Sequence, residues 1–242
     1  LFPLLLNPPN SKTKTMPVRL TLTGIVLVLL FGGFNSNGNS EARESGTDLS
    51  YFHTVGRDIV SDSTAEKVVF RGVNLNGLEF GVWENFTDNP YPGEEGTNYF
   101  RPREKDFENI KDSGFNVIRV PFEWARLVTG WKPSDPLPTE LDPEYLGLLG
   151  DVVDMAGQNE LYVILDMHDF LKYWCSKGDY KCVDDGDAHQ QLLIRTWKLL
   201  AEHFSENTAV LGYDIMNEPV RQEEEENCSS CNWHVIAQSV VD

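Results

Sequence analysis

The stretch Leu211–Pro219, LGYDIMNEP, decides the fold of this chain. It opens with apolar residues of the types that favour strands and ends abruptly at Asn217-Glu218-Pro219. Parallel α/β architectures present their chemistry just past the carboxyl ends of buried strands. Glu218 would place a carboxylate at such an end, and the amide of Asn217 beside it suits a substrate hydroxyl. The stretch therefore predicts an enzyme built on a parallel sheet.

Three further apolar runs predict strands at 68–74, 116–121 and 161–167, and a fourth strand covers 210–216. Helical spacing of apolar residues predicts helices at 102–113, from Asp142-Pro143 to about 156, and at 192–204, with another beginning near 232. Strands that alternate with helices in this way predict βα units and a parallel sheet.

Two architectures fit this alternation. A doubly wound sheet is possible, but no glycine-rich phosphate loop follows the first strand. A (β/α)₈ TIM barrel fits better because the polar strand ends, among them Asn74, Arg119, His168 and Glu218, would meet at one rim. Only four strands are visible where a barrel needs eight, so we expect a barrel truncated after about its fourth strand.

Composition narrows the choice of partner. The chain has 242 residues, a formal net charge of -18 and 40% hydrophobic residues. The hydrophobic content suits a folded core, and the acidic balance argues against nucleic acid, whose binding depends on clustered Lys and Arg. We expect a neutral ligand.

The N-terminal region predicts export. Residues 1–15 show no periodicity and are interpreted as upstream translated sequence. Residues 16–42 have the basic, apolar and small-residue order of a signal peptide. Its apolar run is short for a membrane span, so a secreted protein without a stable membrane partner is expected, with an uncleaved anchor as the alternative. A polar lead-in follows at 43–64, and the barrel half at 65–242.

The four cysteines fit a secreted protein. Cys175 lies close to Cys182, and Cys228 lies close to Cys231, so local disulfides are the simplest pairing. A zinc site is the alternative, because Cys228-Ser-Ser-Cys231 has the spacing of metal ligands. We expect disulfides, with 175 joined to 182, and no metal or cofactor.

Four motifs resemble, in order, those of glycoside hydrolase family 5, retaining β-glycosidases that include many cellulases. They are FRGVNLNGLEFG at 70–81, NVIRVPFEW at 116–124, VILDMH at 163–168 and DIMNEP at 214–219. The resemblance covers roughly 68–242, the N-terminal half of such a barrel. It looks closest to the β-1,4-endoglucanases and implies hydrolysis of a β-linked polysaccharide. Mannanase, β-1,3-glucanase and endoglycoceramidase activities remain alternatives within the family, and a non-catalytic carbohydrate-binding barrel remains an alternative outside it.

The resemblance also implies roles for individual residues. Glu218 would be the general acid/base, Asn217 would bind the sugar 2-hydroxyl, and His168 would bind substrate hydroxyls. Arg119 would keep the nucleophile ionised, although on its own it could pair with a buried acid. The family's nucleophile lies on a later strand, so this chain is expected to lack it and to be inactive alone. Asp214 and Glu123 are not assigned to that role.

Aromatic residues follow the first three strands and are candidates for stacking on sugar rings. Core packing is the alternative for about half of them. The sequence predicts no oligomeric state. The candidates for substrate contact are Trp83, Trp124 and Trp174.

Overall fold

The computed structural model describes residues 27–28, 49–81, 93–176, 179–183, 186–219 and 232–242. For 27–28, 174–176 and 179 the description covers the backbone. The strands, in chain order, are β1 (Leu27–Val28), β2 (Phe52–Val55), β3 (Asp58–Ser61), β4 (Lys67–Val68), β5 (Gly72–Asn74), β6 (Val117–Phe122), β7 (Tyr162–Met167), β8 (Lys172–Ser176), β9 (Asp179–Cys182) and β10 (Val210–Asp214). The helices are α1 (Glu104–Asp112), α2 (Trp124–Leu127), α3 (Pro143–Gln158), α4 (Ala188–His203) and α5 (Trp233–Val241).

The main sheet has the order β1-β10-β7-β6-β5. Strands β5, β6, β7 and β10 run parallel, and each neighbours the next one along the chain. The helices α1, α3 and α4 connect them in turn. The predicted parallel α/β arrangement is therefore confirmed. At one edge β1, which lies inside the predicted signal segment, pairs antiparallel with β10.

The inner strands β6 and β7 are completely buried on one face, as their apolar sequences predicted, and partly buried on the other, where Arg119, Tyr162 and Ile164 are half-buried. In β6 the side chains of Ile118, Val120 and Phe122 are all inaccessible to solvent, and in β7 so are Val163 and Leu165. The helices cover this sheet with the residues that the helical spacing selected.

The helix boundaries follow from the predicted signals. Asp142 caps α3 by accepting hydrogen bonds from two backbone N–H groups, and Pro143 occupies the first turn. Gly114 ends α1 with a φ of 81°. Trp197 in α4 is buried against Phe122 and donates its indole N–H to the carbonyl of Ile215 at 3.0 Å, which confirms its interpretation as a core residue.

Two features differ from the predictions. The predicted first strand, 68–74, is divided: Val68 belongs to a small antiparallel sheet formed by β2, β3 and β4, and only 72–74 join the main sheet. The lead-in at 43–64 contains the hairpin of that small sheet. Phe52 packs edge-on against Phe70 and Tyr162, so apolar contacts attach the hairpin to the main sheet.

A second hairpin, β8–β9, follows the third parallel strand and was not predicted. Cys182 in this hairpin is disulfide-bonded. The side chains of the other three cysteines lie outside the described residues, so the pairing of 175 with 182 stays a prediction. Among the residues described, no helix is long and apolar enough to cross a membrane.

Candidate active site

Three of the predicted site residues are joined by direct hydrogen bonds at the carboxyl ends of the parallel strands. Arg119 Nη2 donates to Asn217 Oδ1 at 2.9 Å, and Asn217 Nδ2 lies 3.3 Å from His168 Nε2. Backbone bonds continue the sheet ladder to these positions. The N–H of His168 donates to the carbonyl of Phe122, and that of Asn217 donates to the carbonyl of Met167. The three side chains are therefore held by neighbouring strands.

Arg119 lies between two buried carboxylates. Its Nε and Nη2 donate to Asp214 Oδ2 at 3.1 and 2.9 Å, and Nη2 is also 2.9 Å from Asp166 Oδ1. Asp166 and Asp214 are partners in the register of β7 and β10, so their carboxyl groups are adjacent. Nη2 has two N–H groups for three nearby oxygens. Its hydrogen bonds go to Asp214 and Asn217, and Asp166 is attracted by charge.

The protonation of this group of charges depends on burial. Asp214 is only 2% exposed, and burial raises its pKa from the ordinary 3.8 to about 7. The neighbouring charge of Asp166 adds to the rise, and Arg119 opposes it. Asp214 therefore changes its charge near neutral pH, next to the site.

His168 is oriented by hydrogen bonds on both ring nitrogens. Nδ1 lies 2.6 Å from Asp166 Oδ2, and Nε2 faces the amide nitrogen of Asn217. Because an amide nitrogen only donates, Nε2 must accept, and the proton of the neutral ring lies on Nδ1. Phe170 packs edge-on against the ring with centroids 5.2 Å apart. The ring is thus fixed in one tautomer and one orientation.

Glu218 follows the buried Asn217 directly and is exposed to solvent. Its backbone φ is +40°, in the left-handed region that non-glycine residues rarely adopt. Phe170 and Leu171, which follow the neighbouring strand, also have positive φ values of 52° and 60°. Strained backbone of this kind concentrates at functional sites, where surrounding contacts hold it in place. The carboxylate of Glu218 is thereby presented at the strand end.

Neither of the unassigned acids is placed to attack a substrate. Asp214 accepts two hydrogen bonds from Arg119 and is buried. Glu123 is inaccessible to solvent and caps α2 by accepting from the N–H of Ala125. Arg119 thus pairs with buried acids, which was the alternative interpretation of this residue from the sequence.

The aromatic candidates need one correction. Trp124 is fully buried, packs edge-on against Tyr173, and donates its indole N–H to the carbonyl of Lys172 at 2.9 Å. A ring with no exposed face cannot stack on a sugar, so the expected substrate contact is wrong for this residue. Trp83 and the side chain of Trp174 lie outside the described residues.

The sequence analysis missed the buried acids that support the site. Asp166 forms an ion pair with Arg119 and a hydrogen bond with His168, while Asp169 and Glu79 are buried beside the same strand ends. A signal was available, because Asp166 interrupts an apolar strand and lies two residues before His168, on the same face. Among the described residues, no group of three or more His, Cys, Asp or Glu could hold a metal ion.

Comparison with known proteins agrees with this arrangement. The family model described as Cellulase (glycosyl hydrolase family 5) matches residues 62–242. The chain belongs to glycosyl hydrolase family 5. An endoglucanase of Paenibacillus polymyxa is 26% identical over 232 residues, which cover 90% of this chain and 53% of that protein. The chain spans 53% of the length of this endoglucanase and 32–40% of the length of four other curated relatives.

Solved structures show the same relationship. The crystal structure of Pseudomonas stutzeri endoglucanase Cel5A matches with a TM-score of 0.55 and 33% identity, covering 71% of this chain and 46% of that one. XacCel5A in complex with cellopentaose matches with a TM-score of 0.56 and 31% identity, covering 71% of this chain and 47% of that one. Family membership and these neighbours imply the (β/α)₈ barrel as the fold to which the parallel sheet belongs.

Proposed function

We propose that this family 5 chain supplies the acid/base side of a retaining endo-β-1,4-glucanase site, with Glu218 as the acid/base. One observation carries the proposal: an exposed carboxylate directly follows an amide that is hydrogen-bonded to Arg119 and His168 at the ends of parallel strands. The relatives named endoglucanase, and the neighbour solved with cellopentaose, support a β-linked glucan as substrate.

The chemistry proceeds in two steps. Glu218 first donates its proton to the glycosidic oxygen while a second carboxylate, about 5–5.5 Å away, attacks the anomeric carbon. In the second step Glu218 takes a proton from water, which hydrolyses the glycosyl-enzyme intermediate with net retention. We assign no second carboxylate among the described residues, because Asp214 and Glu123 are committed to buried contacts.

Asn217 and His168 would position the sugar beside Glu218. The Oδ1 atom of Asn217 accepts from Arg119, and one N–H of its amide points to His168, which fixes the orientation of the amide. An amide has a second N–H, which would donate to the 2-hydroxyl and strengthen that contact in the transition state. His168, held by Asp166, would act through Asn217, because both of its ring nitrogens are already engaged.

We further propose that the protein acts outside the cell. The signal-like segment at 16–42 and the disulfide at Cys182 support export, since structural disulfides persist in oxidising compartments. An extracellular enzyme would meet β-glucan directly.

Replacement of Glu218 tests the proposal. The test uses the intact protein, meaning one that includes the strand with the nucleophile. In it, Glu218→Gln should lower the rate of carboxymethylcellulose hydrolysis about 10²–10⁴-fold, because the amide cannot transfer the proton. Glu140→Gln, the same change at another exposed position, is the matched control and should leave the rate unchanged. Proton NMR of the first product should show retained anomeric configuration. Near-normal turnover in Glu218→Gln, or an inverted product, would refute the assignment.

A further inference from the structure

Two buried carboxyl groups lie just beyond the ends of β6 and β7. Glu123 directly follows β6, and Asp169 follows His168 after β7. Both side chains are inaccessible to solvent, and they lie within reach of a hydrogen bond to each other. The proposed mechanism uses neither of them.

Their remaining contacts show which oxygens are available for such a bond. Glu123 Oε1 accepts from the N–H of Ala125 at 3.2 Å, and Asp169 Oδ2 accepts from the N–H of Trp124 at 3.2 Å. Glu123 Oε2 and Asp169 Oδ1 are both buried and receive no N–H or O–H donor from the described residues. A hydrogen bond between the side chains would satisfy both of these oxygens. Two ionised carboxylates offer no donor, so a bond between them needs a proton.

The surrounding charges indicate where this proton is held. Burial raises the pKa of both carboxyl groups. At Glu123 the hydrogen bond from Asp169 and the charges of Arg126 and His168 oppose the rise. At Asp169 the charges of Glu123 and Asp166 add to it. The proton therefore belongs mainly to Asp169, with the titration shared by the pair.

Other polar groups near the pair are engaged elsewhere or bind its backbone. The guanidinium of Arg126 donates to the carbonyls of Leu78 and Phe80 and lies over the ring of Tyr99, 4.3 Å from its centroid. The hydroxyl of Tyr145 accepts from the backbone N–H of Glu123 and donates to the carbonyl of Leu78.

We propose that Glu123 and Asp169 share one proton between Oε2 and Oδ1, and that this protonated pair is a positioning device that joins the ends of β6 and β7 beside His168. Its value for catalysis rests on the proposed function, whereas the shared proton does not.

Backbone hydrogen bonds around the pair show which segment the pair fixes, namely the turn after β7. The N–H of His168 donates to the carbonyl of Phe122, next to Glu123. On the other side, the carbonyl of Asp169 accepts from the N–H of Lys172 at 2.7 Å and closes the turn that contains the left-handed residues 170 and 171. Strained turns persist only where contacts fix them on both sides. The pair fixes this turn against β6, and the turn sets the ring of Phe170 against His168.

A retained proton makes folding depend on pH in a known direction. The unfolded chain releases the Asp169 proton near pH 4, but the folded chain keeps it. This stabilising contribution is complete below about pH 4 and is lost as the pH rises towards the raised pKa of the folded pair. Between these limits one retained proton lowers the folding equilibrium constant about tenfold per pH unit.

Asp169→Asn removes the proton and keeps the geometry. The amide oxygen can accept from the N–H of Trp124, and the amide nitrogen can donate to Glu123. At pH 6 the infrared spectrum of the intact wild type should contain one more carbonyl band of a protonated acid than that of Asp169→Asn, because Asp214, with a pKa of about 7, contributes the same band to both proteins. The matched exposed variant Asp112→Asn should retain this band.

Denaturant unfolding gives a second measurement. Above pH 4, as far as the raised pKa of the folded pair, the folding constant of Asp169→Asn should rise relative to that of the wild type by about tenfold per pH unit. Asp214 contributes equally to both proteins and cancels in the ratio. The same infrared bands in both proteins, or parallel pH dependence, would overturn the inference. If Asp169→Asn does not fold, Glu123→Gln applies the same tests, because its amide can donate to Asp169.

Hydrolysis tests the positioning role separately. The kcat of Asp169→Ala should be lower than that of the wild type, and the kcat of Asp169→Asn should be close to it. Only the asparagine can form the hydrogen bond to Glu123 that joins the two strand ends. Equal activity of the two variants would refute the positioning role. A wild type that shows the additional infrared band but hydrolyses no glucan would refute the proposed function and leave the shared proton supported.

Discussion

Replacing Arg119 by methionine tests the group of charges that supports the candidate site. The change preserves much of the side-chain length and removes the charge. It leaves Asp214 and Asp166 buried without the guanidinium that now contacts both, at exposures of 2% and 0%. It also removes the donor that orients Asn217.

The loss of stability expected from Arg119→Met depends on pH. Removing one partner of a buried ion pair costs about 3–5 kcal/mol, because the other charge is left uncompensated. That cost applies above the pKa of Asp214, which is about 7. At pH 5 Asp214 already holds a proton, so Arg119→Met should lose there its hydrogen bonds, worth about 1–2 kcal/mol in total, together with the attraction to Asp166, which is lost equally at both pH values.

The sign of the pH dependence follows from the raised pKa. The folded protein keeps the Asp214 proton that the unfolded chain releases near pH 4, so this contribution to stability is lost as the pH rises towards 7. Without Arg119 the pKa of Asp214 should rise further, which extends the loss to higher pH. The variant should therefore be relatively most unstable at alkaline pH.

Urea unfolding, followed by tryptophan fluorescence at pH 5 and pH 8.5, measures the loss in free energy of unfolding of Arg119→Met at each pH. Arg101→Met is the matched control, since Arg101 also contacts two acids, Glu95 and Asp151, but at the surface. Exposed pairs contribute about 0–1 kcal/mol, so the control should change little at either pH. Equal destabilisation of Arg119→Met at both pH values would contradict the reasoning, because it would mean that Asp214 does not titrate between them.

Three further predictions concern the fold. Gly72→Ala should prevent stable folding, measured by circular dichroism, because the added Cβ would overlap the carbonyl oxygen of Val117 in the neighbouring strand. Asp142→Ala should lower the free energy of unfolding by about 1 kcal/mol in urea, through loss of the α3 cap. Mass spectrometry of a non-reduced digest should recover the peptides of Cys175 and Cys182 joined, and free thiols at both positions in secreted protein would contradict this pairing.

The sequence predicted the features that local rules determine. Periodicity located the parallel strands, and Asp142-Pro143 marked the start of α3 because capping depends on adjacent residues. The strand ends identified His168 and Asn217 as neighbours, since parallel strands bring their carboxyl ends to one edge, whereas Arg119 lies within β6 and reaches Asn217 with its long side chain.

Features that depend on distant contacts were missed. Trp124 lies at a strand end like the others, yet its ring points into the core because Tyr173 and the Lys172 carbonyl, 48 residues away, accommodate it there. The hairpin near residue 55 is short and is held by contacts of Phe52 with Phe70 and Tyr162, which are distant in sequence. No local pattern contains either partner.

The buried Asp166 is explained by the candidate site and not by the stability of the fold. Buried ion pairs are weak contributors to net stability, because desolvation offsets much of their attraction, so packing alone does not explain Asp166 in an apolar strand. The same carboxylate contacts Arg119 on one side and His168 on the other. Through them it fixes the amide of Asn217, which directly precedes Glu218. An apolar side chain at 166 could fill the space but could orient neither neighbour, so the geometry of the candidate site accounts for the acid better than the stability of the fold does.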